Sequence, residues 1–209
     1  MVFDLDGTLA DTSEGIFGGI KFVQEQMNLP SVSLDIMKTH IGPPPRESFV
    51  RNFNLKGKKL ENALSLYRQY AEGYAYRQAT LYPHIKEVLN SMQEMNVKCA
   101  VATLKLQGTA TKMIEHLGIA DNFSLIRGSL AQVHLSKCEI LTGCLRTMKI
   151  SAEETLLIGD SEFDAIGANQ AGVDFMGVTY GFGFKTKHDL NKHRNIGCVN
   201  DIRAILSYF

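Results

Sequence analysis

The chain opens Met1-Val2-Phe3-Asp4-Leu5-Asp6-Gly7-Thr8-Leu9, a short apolar run with carboxylates two positions apart, followed by Gly-Thr. On a strand, residues i and i+2 share a face. If the strand ends near Asp4, the chain is turning by Asp6, and Gly7 supplies the permissive backbone such a turn needs. Asp4 and Asp6 then meet at the C-terminal mouth of a strand, where open α/β sheets place their ligands. Like charges brought together require a cation or a shared proton, and a hard divalent ion such as Mg²⁺ suits carboxylate oxygens. Ca²⁺ loops also use Asp-x-Asp-Gly, but they need further acidic ligands and a Glu at fixed spacing, which this chain lacks. The structural alternative is a strand end followed by an acidic turn.

A second acidic group follows the apolar run Thr155-Leu156-Leu157-Ile158-Gly159, with Asp160 at its end and Asp164 four positions on. A strand end would put Asp160 at the same sheet edge as Asp4, and Asp164, one helical turn on, can point back toward it. The structural alternative is helix capping by Asp160 or Ser161. Thr103 ends the apolar run Cys99-Ala100-Val101-Ala102 and offers a hydroxyl that can bond a phosphate oxygen. Lys137 opens a helix in Leu135-Ser136-Lys137-Cys138. A lysine there works against the helix dipole, which suggests an anionic partner.

Strands and helices must hold these residues. From Ser13 the pattern turns helical, with Ile16, Ile20, Val23 and Met27 at three- and four-residue steps. Thr12 or Ser13 can cap that helix, with Glu14 in its first turn. Short helices are predicted over 34–41 and 46–53, separated by Gly42-Pro43-Pro44-Pro45, and a long amphipathic helix over 58–77. Residues 13–80 therefore form an all-helical insert. After Tyr82-Pro83, strands (97–103, 123–127, 155–159, 175–179, 197–199) alternate with helices (84–95, 107–117, 136–148, 162–171, and one from 201). That alternation implies a parallel sheet covered on both faces. The fold class is thus α/β: a three-layer Rossmann-like core over 1–12 and 81–209, with a helical cap domain over 13–80.

Among 209 residues, 44% are hydrophobic and 21% charged, an ordinary globular composition. The formal net charge is zero, so no global field recruits nucleic acid or a membrane surface. No run reaches membrane-spanning length and no signal-like leader opens the chain, which makes a cytoplasmic location the default expectation. Only Met1 to Phe3 precede the first Asp, so the strand begins at once or native residues precede it. Cys99, Cys138, Cys144 and Cys198 form no Cys-x-x-Cys pair and are too sparse for a disulfide framework. The histidines lack zinc spacing.

Phe3-Asp4-Leu5-Asp6-Gly7-Thr8-Leu9, Thr103, Lys137 and Gly159-Asp160-x-x-x-Asp164 occur in the order found in the haloacid dehalogenase superfamily, which this chain resembles throughout. It looks most like the phosphoglycolate phosphatase-like branch with a helical cap. Ile41-Gly42-Pro43-Pro44-Pro45-Arg46-Glu47-Ser48-Phe49, Tyr82-Pro83 and Val178 to Gly183 resemble that branch. Thr103-Leu104-Lys105-Leu106 departs where relatives commonly show a small or polar residue and then Lys-Pro. Cys138 stands where Pro or a small residue is usual, and Glu162-Phe163 where basic residues are common.

The resemblance implies a Mg²⁺-dependent phosphomonoesterase acting on a small phosphorylated metabolite such as phosphoglycolate, a sugar phosphate or a nucleotide. It makes Asp4 the nucleophile and Asp6 the general acid and base. Thr103 and Lys137 would stabilise the phosphoryl oxygens. Asp4, the Asp6 backbone carbonyl and Asp160 would hold the metal, with Asp164 a ligand or supporting partner. Gly7, Thr8, Leu104 and, from the cap, Arg46 would contact substrate. The protein is expected to be a monomer or homodimer with no nucleic-acid or membrane partner. A dehalogenase does not need Asp6, and a phosphonate hydrolase needs a poised cap lysine that Lys21, Lys38 and Lys56 to Lys59 do not distinguish. A phosphosugar mutase uses the same residues and stays open, as does a non-catalytic phosphometabolite-binding module.

Overall fold

The computed structural model describes residues 1–130, 133 and 135–208. The chain runs β1 (Val2–Phe3), β2 (Ala10–Asp11), α1 (Ser13–Met27), α2 (Leu34–Lys38), α3 (Pro45–Phe53), α4 (Gly57–Gly73), a 3₁₀ turn (Ala75–Gln78) and β3 (Thr80–Leu81). It continues through α5 (Ile85–Glu94), β4 (Ala100–Leu106), α6 (Gln107–His116), β5 (Leu125–Ser129), α7 (Lys137–Met148), β6 (Leu156–Gly159) and α8 (Glu162–Ala171). β7 (Asp174–Val178), α9 (Lys187–Leu190), β8 (Gly197–Val199) and a 3₁₀ helix (Ile202–Tyr208) complete it.

Six strands form one parallel sheet in the order β5-β4-β1-β6-β7-β8, with helices around it, as the α/β alternation implies. The chain winds outward from β1 through β4 to β5, then returns to the other side of β1 for β6. β1 therefore lies at the point where the winding reverses, and the ends of β1, β4 and β6 border the crevice where such sheets bind ligands. Val2 pairs with Ala100 and Leu157, and Phe3 with Val101 and Ile158. Alternation sends Val2, Ala100, Ala102 and Leu157 to one face. There they bury against Ile140, Leu141 and Cys144 of α7 and Ala165 and Ala168 of α8.

Several boundaries differ from those read in the sequence, for non-local reasons. The strand expected over 97–103 runs Ala100–Leu106, because pairing starts only where β1 supplies a partner. It continues because Leu106 pairs with Ser129 after a register shift. The helix expected over 58–77 ends at Gly73, and Tyr74 leaves helical geometry at φ −134°. The chain then tightens so that Ala75 packs against Gly15, where a Cβ would lie 2.7 Å from the Ala75 carbonyl oxygen. The antiparallel pair β2–β3 leaves no readable pattern in the sequence, and the short α9 is marked there only by its capping box of Thr186 and Asp189. The last helix is 3₁₀, and Thr12, at the N-cap of α1, makes no side-chain capping bond.

The chain divides into two compact units, Met1–Asp11 with Thr80–Phe209, and Thr12–Ala79. The second has its own core: Val23, Phe49, Leu55, Leu60 and Ala63 bury together. Phe49 is fully buried, with the Tyr67 and Phe53 rings 5.7 and 5.8 Å from its own. Phe49→Ala should cost this unit about 3–5 kcal/mol. Hydrogen exchange should show it: amides of residues 13–78 should lose protection while those of the sheet keep theirs. Uniform loss along the chain would mean that the units do not open separately.

Candidate active site

Asp4 follows β1 directly and extends its ladder, its N–H donating to the Ile158 carbonyl at 2.9 Å. The chain then makes one tight turn, in which the Leu5 carbonyl accepts from the N–H groups of Leu9 and Ala10 at 3.0 and 3.1 Å. Gly7 is required twice over. Its φ is +82°, and a Cβ there would collide with the Asp160 carboxylate.

Lys137 lies at the first position of α7, whose N-terminus is closed by a capping box between Ser136 and Glu139. Its side chain is buried and runs past Gly167 of α8, where a Cβ would sit 2.6 Å from Lys137 Cβ. The ammonium Nζ lies 2.5 Å from Asp4 Oδ1 and 2.6 Å from Asp164 Oδ1. These are the anionic partners that the unfavourable dipole position suggests. Asp164 also caps α8, its Oδ2 accepting from the Ser161 N–H at 3.1 Å and the Ser161 hydroxyl at 2.6 Å. The capping alternative for this motif is therefore also real, with Ser161 rather than Asp160 at the N-cap.

Asp160 ends β6. Its Oδ2 accepts from the Phe182 and Gly183 N–H groups at 2.7 and 2.9 Å, which leaves Oδ1 as its available ligand atom. Gly181 and Gly183 permit this approach, because a Cβ at either would collide with Asp160. The Tyr180 hydroxyl donates to the Thr8 carbonyl at 2.9 Å, tying this loop to the Asp4–Ala10 turn. The Thr8 hydroxyl is buried without a hydrogen-bond partner.

Thr103 is buried, and its hydroxyl oxygen accepts from the Lys105 N–H at 3.2 Å, so its own proton remains to donate. Leu104 is partly buried and packs against the sheet core. Arg46 belongs to the other unit, near the start of α3, where its Nη2 lies 2.8 Å from Glu61. Two contributors escape sequence reasoning. The 180–183 loop stands out there only as a family likeness, although its glycines after a strand end are a readable signal. Lys105, whose Nζ lies 3.0 Å from Asp6 Oδ1, stands two positions after Thr103, where relatives commonly carry a lysine, but nothing in the sequence pairs it with Asp6.

Carboxylate oxygens of Asp4, Asp160 and Asp164 lie within 4.8 Å of one another. Burial pushes the Asp4 carboxyl up to about 8, against the pull of Lys137 and with the help of Asp164, Asp6 and Asp160. Burial, then Asp164, pushes Asp160 up to about 7, against the Gly183 and Phe182 N–H groups. Burial works to lower the Lys137 pKa, but Asp164 and Asp4 outweigh it and the value is raised, so the ammonium stays charged. One ammonium cannot balance three buried carboxylates. An all-oxygen donor set short of positive charge fits a hard divalent cation such as Mg²⁺.

The sequence model of the haloacid dehalogenase-like hydrolase family matches residues 1–178. The Tyrosine-protein kinase PtkA of Mycobacterium tuberculosis is 30% identical over 88% of this chain and 62% of its own length. The chain thus spans less than two thirds of that relative. A 5′-nucleotidase of Pseudomonas aeruginosa is 29% identical over 98% of this chain and 92% of its own. A phosphoglycolate phosphatase of Caulobacter vibrioides is 28% identical over 87% and 79%. The solved structure of a haloacid dehalogenase-like hydrolase from Streptococcus pneumoniae superposes with a TM-score of 0.91 at 29% identity, covering 100% of this chain and 96% of that one. The chain belongs to the haloacid dehalogenase-like hydrolase family. Among the described residues no helix is long and apolar enough to cross a membrane.

The charge imbalance makes a prediction for metal-free protein. Both folded values lie above the ordinary carboxylate range. The stability these groups contribute is present below the unfolded value and lost as pH rises through about 7 to 8. In EDTA, the urea midpoint should fall between about pH 6 and about pH 8.5, and Asp4→Asn should flatten that fall. A wild-type slope identical to that of Asp4→Asn would mean that the protein alone compensates Asp4.

Proposed function

We propose that this chain is a Mg²⁺-dependent phosphatase of small phosphomonoesters, working through an aspartyl-phosphate on Asp4. The observation that carries this reading is the buried Lys137 bridge between Asp4 and Asp164, set beside Asp160 at the mouth of the sheet. Such a bridge holds a carboxylate still at a place where an oxygen-ligated cation and an anion can meet.

Lys137 occupies Asp4 Oδ1, so Oδ2 is the attacking atom. It forms the new bond to phosphorus while the ester oxygen departs with a proton from Asp6. In the second step Asp6 takes a proton from water, whose oxygen attacks phosphorus and returns Asp4 as a free carboxylate. The Thr103 hydroxyl donates to a phosphoryl oxygen, and the Lys137 ammonium stabilises the charge that builds there. Gly7, Thr8 and Leu104 line the phosphate position. Asp4, the Asp6 backbone carbonyl and Asp160, supported by Asp164, would hold Mg²⁺, which when bound would supply positive charge against the charge of the phosphate. Residues 13–80 serve as the cap, and Arg46 contacts the leaving group. The names of the nucleotidase and phosphoglycolate phosphatase relatives support a small phosphorylated metabolite as substrate.

The test is hydrolysis of a phosphometabolite panel and of p-nitrophenyl phosphate, with Mg²⁺ and after exhaustive chelation. Turnover should require the metal, and full activity in chelator would refute the metal assignment. Asp4→Asn, nearly isosteric but not nucleophilic, should fold and be inactive; substantial residual turnover would mean that another group attacks.

Asp6→Asn should separate substrates. General acid–base assistance is worth about 10²–10⁴-fold, and an alkyl alcohol needs it on departure while a nitrophenolate does not. Rapid quench with the aryl ester should show a burst of nitrophenol and acid-stable label on the protein. Equal losses for both esters without label, at normal Mg²⁺ affinity, would make Asp6 structural.

A further inference from the structure

The Asp6 carboxylate is held by a cation outside the four family landmarks. Lys105 Nζ lies 3.0 Å from Asp6 Oδ1, with the two side chains only 15% and 17% exposed. A solvated surface lysine would not be so enclosed. The contact has the distance of an ion pair but not the direction of a hydrogen bond, and Asp6 Oδ1 is buried with no hydrogen-bond partner. Lys105 therefore fixes where the carboxylate lies by charge, at its buried oxygen Oδ1.

The backbone that carries Lys105 is itself fixed. β4 continues beyond Thr103 through a register shift against β5. The Gln107 side chain spans the irregularity: its Nε2 donates to the Ile126 carbonyl at 3.0 Å, and its Oε1 accepts from the Gly128 N–H at 2.7 Å. Gly128 leaves room for the Lys105 carbonyl, since a Cβ there would lie 2.6 Å from that oxygen. The Lys105 N–H is bound to the Thr103 hydroxyl. Thr103, Lys105 and Asp6 thus form one connected unit.

We propose that Lys105 is a positioning residue: its ammonium holds the Asp6 carboxylate where it can exchange a proton with the leaving group and then with water. This rests on the phosphatase reading above. The lysine touches no reacting atom, and its effect passes through Asp6 alone.

The experiment compares wild type, Lys105→Met, which keeps the apolar stem, and Lys105→Arg, which keeps the charge, with Lys105→Gln replacing the Met variant if thermal melts show that it is unfolded. Outer partners of this kind are worth about 10–100-fold when removed. In the Met variant, the rate of phosphoenzyme formation from an alkyl phosphate, read by rapid quench, should fall by about that factor, while that from p-nitrophenyl phosphate falls far less; breakdown of the phosphoenzyme, common to both esters, should slow alike, and substrate affinity should change little. Lys105→Arg should restore most of the alkyl activity. Crystal structures of the variants should show the Asp6 side chain displaced or in two orientations in the Met variant and returned in Lys105→Arg. Equal losses of phosphoenzyme formation for both esters, weakened substrate binding with unchanged rates, or an Asp6 side chain that stays in place would overturn the proposal. Wild type inactive on every phosphomonoester would refute the phosphatase reading instead, and the orientation of Asp6 in the crystals would still decide the role of Lys105.

Discussion

The buried Lys137 ammonium, shared between Asp4 and Asp164, is the contact on which the rest of the arrangement depends. Charges buried this deeply persist only when paired, and removing one partner of such a pair commonly costs about 3–5 kcal/mol because the other is left uncompensated. The pairing joins three elements that are distant in sequence: the end of β1, the start of α7 and the first turn of α8. It also explains two local features. Gly167 leaves space for the lysine stem, and Asp164 caps α8 with one oxygen while binding the ammonium with the other.

Close backbone packing does for Asp160 what Lys137 does for Asp4. The 180–183 loop can reach Asp160 only because Gly181 and Gly183 carry no side chain, and Gly7 approaches the same carboxylate from the turn after β1. The result is a carboxylate with one oxygen committed to the protein and one presented outward. The Tyr180 hydroxyl fastens this loop to the turn that carries Asp6. Loops from separate strands are thus locked to one another, and such preorganisation is what electrostatic stabilisation of a transferring phosphoryl group requires.

The site as a whole is short of positive charge. Lys137 answers Asp4 and Asp164, and Lys105 answers Asp6, but the raised values at Asp4 and Asp160 record burial first and then mutual repulsion, which Lys137 only partly offsets. A scaffold that keeps buried carboxylates together despite this repulsion costs stability, and a bound cation offsets that cost. The strain is local to the mouth of the sheet, because the core beneath, from Val2 to Phe175, is apolar and closely packed.

Much of this is legible in the sequence. Alternating apolar runs and helical periods mark the parallel sheet, since both are local patterns that each segment carries for itself. Asp4, Thr103, Lys137, Asp160 and Asp164 stand out by residue type where apolar runs end and helices start, although Thr103 proves to lie inside β4, and a lysine opposing a helix dipole announces an anionic partner before any partner is known. Only the tertiary structure decided which groups meet. The Lys137–Asp4 bond spans 133 residues, and β2 pairs with β3 across the whole helical unit. Where β4 stops depends on its register with β5, and that register in turn places Lys105 against Asp6. Such pairings are set by the paths of chain segments far apart in sequence, and no local spacing encodes them.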